Sequence, residues 1–143
     1  MSFELHTQLS QDALFIADLT LSQLLLMNDE RFPWLILVPK RIGISELYEL
    51  NIKDQSQLLI EINAVSKMLN ARYRPEKLNI AALGNIVPQL HLHIIARFKS
   101  DNAWPQPTFG FQKPIPYSKE RAQSVIQEIL YSLPKFLDPL CEK

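Results

Sequence analysis

Cysteine is almost missing from this sequence. The 143 residues contain one, Cys141, so no disulfide can form within the chain, and the composition suits a reducing compartment such as the cytoplasm. Glycine is scarce too, three residues against ten prolines, so proline supplies much of the punctuation. Neither a glycine-rich phosphate loop nor a GxGxxG fingerprint is present, which disfavours the nucleotide folds built on them. Charge of one sign is not in excess: fifteen Lys and Arg balance fifteen Asp and Glu. A protein living on a nucleic acid polymer would show a basic surplus, so that partner is not expected, although a local phosphate pocket stays open. Long apolar runs are lacking as well. The longest, at 24–27 and 34–38, fall far short of a bilayer span, and no membrane partner is expected. The opening MSFELHTQLSQD has neither a basic region nor an apolar stretch of the kind a signal peptide needs.

What is present is 47% hydrophobic and 21% charged residues, the balance of one globular domain, 1–143, able to bury a core. Residues 14–17 and 22–27 read as a hairpin-like pair of strands, and Asn28-Asp-Glu-Arg31 as the turn that follows. The run Trp34-Leu-Ile-Leu-Val38 sits between Pro33 and Pro39 and predicts a strand covered on both faces. Asp54 followed by Gln57 predicts a helix start. The helix then continues to about residue 73, with Leu58, Ile62, Val65 and Leu69 as its buried stripe. Arg74-Pro75 ends it. Strands are expected at 78–83 and 90–98, an irregular proline-rich segment at 104–116, and a last helix at about 118–133. That helix carries Ala122, Val125, Ile126, Ile129, Leu130 and Leu133 on one side. Consecutive strands with helices between and after predict an α+β fold with an antiparallel sheet.

The segment with chemical character is Val87-Pro-Gln-Leu-His-Leu-His-Ile-Ile-Ala-Arg97. Successive strand side chains alternate between faces, so Gln89, His91 and His93 share one face and Leu90, Leu92 and Ile94 the other. Two of the three histidines in the chain on one strand face, two residues apart, point to a site as readily as to a structural pair. A zinc centre is the competing reading, since imidazole is a common ligand. It needs further ligands, and no CxxC, HExxH or nearby acidic pair supplies them, so neither a metal nor any other cofactor is expected.

The string Gln89-Leu90-His91-Leu92-His93-Ile94-Ile95 resembles the histidine-triad (HIT) pattern H-φ-H-φ-H-φ-φ, where φ is apolar, at every position but the first. Gly84-Asn85-Ile86-Val87 is similar to the family's G-Q-x-V approach to that strand. Leu35-Ile36-Leu37-Val38-Pro39-Lys40-Arg41 is similar to its apolar strand ending in proline and a basic residue. The resemblance covers residues 13–105 or so. It implies a five-stranded antiparallel sheet with one long central helix and a C-terminal helix, and a homodimer. It further implies a nucleotidyl hydrolase or transferase acting on a nucleoside phosphate, phosphoramidate or dinucleoside polyphosphate. His91, in the middle place, would be the nucleophile on the α-phosphorus, giving a nucleotidyl-histidine that water then cleaves. Its other ring nitrogen would hold the proton toward a backbone carbonyl. His93 would donate to a phosphate oxygen or buttress the nucleophile. Asn85 stands near the phosphate-contacting Gln of the family, with a turn residue as the alternative, and Asn28 near its ribose-binding Asn or Asp, again with a turn as the alternative. Trp104 either walls the pocket or packs in the core.

Gln89 replaces the first histidine of the triad. A glutamine hydrogen-bonds but cannot carry a proton to a leaving group, and such acid–base help is worth about 10²–10⁴-fold. The alternative function is therefore a nucleotide-binding or sensor protein with weak turnover. On that alternative, restoring histidine by Gln89→His should raise activity.

Overall fold

A computed structural model describes residues 1–138; Cys141 lies outside the described residues. The chain opens with a short helix α1 (Thr7–Asp12), which the sequence reading did not foresee. It continues through β1 (Ala13–Asp18), β2 (Ser22–Met27) and β3 (Trp34–Pro39) into the long helix α2 (Ile52–Tyr73). Strands β4 (Lys77–Ala81) and β5 (Leu92–Arg97) follow, then helices α3 (Lys119–Ser132) and α4 (Pro134–Leu137). The five strands form one sheet in the order β1-β2-β3-β5-β4, every neighbouring pair antiparallel. This is the α+β architecture expected.

Period-two alternation divides the central strands between two cores. Leu24, Leu26, Leu35, Leu37, Leu92 and Ile94 face α2 and α3, packing on Leu58, Val65, Met68, Leu69, Val125 and Ile129. Leu25, Trp34, Ile36, Val38 and Ile95 point the other way, where Leu9, Phe32, Val87 and Ala103 complete a second core with no long helix over it. The sheet is thus covered on both faces, which is why β3 is buried at every residue and reads as an unbroken apolar run.

Several boundaries differ from the sequence reading for identifiable reasons. Helix α2 begins before Asp54: Asn51 is its cap, accepting from the Asp54 N–H at 2.9 Å. The Asp54 carboxylate instead forms a two-pronged ion pair with Arg41. Leu130 of α3 is exposed, not part of the buried side. Strand β5 starts at Leu92, not residue 90, because the Leu90 N–H turns away to the Ile44 carbonyl at 3.0 Å and the ladder with β3 begins at Leu37 and Leu92. Strand β4 stops at Ala81, opposite His93, so residues 82–91 form the loop that carries the triad string into the sheet.

A buried charge locks the far end of β5. The Arg97 guanidinium, 2% exposed, binds the Asp101 carboxylate through Nε and Nη2 at 2.8 and 3.1 Å. It also donates to Asn79 Oδ1 and the Gln106 carbonyl, both at 2.8 Å. Asp101 in turn accepts from the N–H groups of Phe98, Ala103 and Trp104. Deleting one partner of such a buried pair leaves an uncompensated charge and costs about 3–5 kcal/mol. Asp101→Ala should therefore lower the urea midpoint by an amount matching that loss, without a change in the steepness of the transition.

Candidate active site

The loop 82–91 and the start of β5 bring His91 and His93 together on the sheet face away from α2. Their rings meet edge to face with centroids 4.8 Å apart, and both side chains are buried. Gly84 is required beneath them, since a Cβ there would lie 2.6 Å from the Val87 carbonyl oxygen and 3.7 Å from His91 Cε1.

Each imidazole is fixed by its own partner. His91 Nδ1 lies 2.7 Å from the carbonyl oxygen of Gln89. A carbonyl can only accept, so Nδ1 carries the proton and Nε2 keeps its lone pair. Burial lowers the His91 pKa, and the nearby His6 lowers it further, while the bond to Gln89 opposes both; the ring is therefore neutral at pH 7. His93 is the mirror case. Its Nδ1 accepts from the Trp34 indole N–H at 3.0 Å, so the proton of the neutral ring sits on Nε2. Burial and the neighbouring His91 push the His93 pKa down to about 4. Protonating His93 would set two donors, Nδ1–H and the indole N–H, against each other.

His91 lines two cavities. The larger, about 450 Å³, is walled by Leu9, Met27, Trp34, Val87, Phe109 and Phe111, with Asp29, Arg31 and Thr108 as polar lining. The smaller, about 170 Å³, is lined by Ser45, Glu46, Gly84, Asn85, Gln89 and His91. Rings from three elements frame the larger one: Phe109 stands 4.9 Å from His93 and 5.5 Å from Trp34, both edge-on. Arg31 binds Asp29 through Nε and Nη2 at 2.9 and 2.8 Å, and its guanidinium lies over Phe32 and Phe111. Thr108 Oγ1 is buried without a hydrogen-bond partner. Sugars and heterocycles suit a cleft of this size, mostly apolar with a few convergent polar groups.

The expected site residues divide. His91, His93 and Asn85 line the larger cavity, and Asn85 also lines the smaller. Gln89 is beside His91, but its amide is spent on the N-terminal segment: Oε1 accepts from the His6 N–H and Nε2 donates to the Glu4 carbonyl, both at 2.9 Å. Asn28 lies outside both cavities, and its Oδ1 accepts from the Tyr117 N–H at 2.9 Å; its neighbour Asp29 is the residue at the wall. Trp104 likewise lies outside them, its ring under the Arg97 guanidinium. Trp34, Phe109, Phe111 and Arg31 were missed. The signal for the two phenylalanines was an aromatic-glycine-aromatic run, Phe109-Gly110-Phe111, inside the irregular segment. Among the described residues no group of three or more His, Cys, Asp or Glu is placed to hold a metal.

The HIT domain profile matches residues 8–100. The chain belongs to the histidine-triad (HIT) family. The chain is similar to a HIT protein from Sinorhizobium meliloti at 46% identity, with a TM-score of 0.89 over 92% of this chain and 97% of that one. It is similar also to a histidine triad protein from Marinobacter aquaeolei at 43% identity, TM-score 0.92, over 95% and 99% of the two chains. A third, from Bradyrhizobium japonicum, is 42% identical with a TM-score of 0.90 over 93% and 99%. No curated protein matches the chain. HIT membership supports a nucleotide-binding or hydrolase-type function in general terms.

The His93 environment has a thermodynamic consequence. Its folded pKa of about 4 lies below the unfolded value near 6.5, so between the two the unfolded chain binds more protons. The stabilising contribution is complete above about pH 6.5 and is lost as pH falls toward 4, by about 1.4 kcal/mol per pH unit. Denaturant melts at pH 7, 6 and 5 should show a steeper fall in the wild type than in His93→Gln, which keeps only the part due to the lowered His91 pKa. Equal slopes in the two proteins would show that His93 ionises freely.

Proposed function

We propose that the chain is a nucleotidyl hydrolase or transferase. His91 Nε2 attacks the α-phosphorus of a nucleoside phosphate, phosphoramidate or dinucleoside polyphosphate. The bond from phosphorus to the leaving group breaks, its electron pair departs with that group, and water later cleaves the nucleotidyl-histidine. The observation that carries this reading is the 2.7 Å contact from His91 Nδ1 to the Gln89 carbonyl. It leaves a neutral ring with its second nitrogen unprotonated at the wall of a cleft lined by aromatic residues. A neutral imidazole is a competent nucleophile at pH 7. The larger cavity takes the nucleoside and Asn85 donates its amide N–H to phosphate oxygens, as preorganised donors do where charge builds. His93, kept neutral by burial and by the neighbouring His91 and bonded at Nδ1 to Trp34, buttresses the nucleophile.

A second reading, a nucleotide-binding protein with weak turnover, is favoured by one feature. Neither triad position beside His91 supplies a general acid at pH 7: the Gln89 amide does not ionise there, and His93 has lost its second proton well below neutrality. On either reading the chain acts as a homodimer in the cytoplasm. Sedimentation at micromolar concentration should give twice the 16.5 kDa chain mass.

Diadenosine polyphosphates and adenosine phosphoramidates distinguish the two. Wild type should release mononucleotide from at least one class and His91→Ala from neither. Tight mononucleotide binding without product selects the second reading, and equal release by His91→Ala refutes the first.

A further inference from the structure

Gln89 occupies the place of a histidine, yet its geometry is that of a strap. Its side-chain amide presents one acceptor and one donor side by side, and both meet the backbone of an extended segment two residues apart. Oε1 takes the His6 N–H and Nε2 gives to the Glu4 carbonyl, each at 2.9 Å. A carboxylate has no donor to do this. A neutral imidazole has one donor and one acceptor, but they point to opposite sides of the ring and cannot address adjacent backbone groups together. The same residue's main-chain carbonyl holds the His91 ring at 2.7 Å. Side chain and main chain of Gln89 thus tie the N-terminal segment to the imidazole.

The strap reaches further. His6, whose N–H is held, also caps α1, its Nδ1 accepting from the Gln8 N–H at 3.1 Å. Two residues of that helix, Leu9 and Asp12, line the larger cavity. One glutamine therefore sets both the ring and a wall of the cleft it opens on.

We propose that Gln89 is a positioning residue: by strapping the backbone of Glu4 and His6 with its amide, it fixes the carbonyl that holds the His91 proton on Nδ1. The inference rests on the proposed nucleotidyl chemistry for its consequence in rate, but the strap and the tautomer are properties of the protein alone. Gln89 is then no defective histidine, and Gln89→His removes the strap without supplying a useful acid.

The test pairs steady-state kinetics with ¹⁵N NMR of the His91 ring. Gln89→Leu should lower kcat roughly 10–100-fold, the size expected when a reacting group is misplaced, with KM little changed and the Nε2–H tautomer of His91 now populated. His6→Pro, which deletes the bonded N–H at a φ of −55° that proline accepts, should do the same and exceed the loss in His6→Ala, which keeps that N–H. Gln89→His should not rise above wild type. Faster turnover by Gln89→His, or a His91 tautomer unchanged in both Gln89→Leu and His6→Pro, would overturn the proposal even if kcat fell. If wild type itself turns over no nucleotide, the functional reading falls alone, and the tautomer comparison still decides the strap.

Discussion

A single hydrogen bond, from His91 Nδ1–H to the carbonyl of Gln89, decides what the site can do. Imidazole is nucleophilic only where it has an unprotonated nitrogen, and a buried ring has two tautomers to choose from. The carbonyl makes the choice by accepting at Nδ1, and burial removes the charged form. The loop 82–91 puts that carbonyl and that ring just before the start of β5, an interior strand of the sheet. Gly84 allows the loop to fold tightly under the ring. Pro88 has no N–H to place, and the Leu90 N–H is taken by Ile44, so the chain stays out of the β-ladder until Leu92. His91 is thus freed from strand pairing while His93, one step inside it, is held opposite Ile36.

The two histidines consequently have different chemistry despite equal spacing from the backbone pattern. His91 faces cavities on two sides. His93 lines only the larger of them and packs edge-on against Trp34 and Phe109, in surroundings that keep its ring neutral at pH 7. The indole N–H of Trp34 is the decisive partner, and it comes from the first residue of β3, where an apolar strand begins. A core strand and a site wall are here the same residue.

The sequence made the architecture legible because its signals were periodic. The unbroken run of β3, the helical stripe of α2 and the alternation around His91 each report burial on known faces, and these elements appear with only their starts displaced, α2 to Ile52 and β5 to Leu92. The alternation of the triad string likewise reported that His91 and His93 share a face. What stayed hidden depends on contacts distant in sequence. Gln89 bonds residues more than eighty positions away, so spacing within the string could not reveal that its amide was engaged. Asn28 looked available, but Tyr117 takes its oxygen. Trp104 lay next to the strand and yet packs under Arg97, while Phe109 and Phe111, a few residues on, return to the cleft. No local rule separates those aromatics; the buried Arg97–Asp101 pair, which turns the chain after β5, does.

On the proposed chemistry, the bond to the nucleotide forms at one ring, that of His91. Rapid acid-free quenching during turnover of a labelled nucleotide substrate, followed by peptide mapping, locates that bond. A nucleotidyl adduct on the His91 imidazole at Nε2 is the expected result. Label on His93, or steady turnover with no adduct on any histidine, would contradict it.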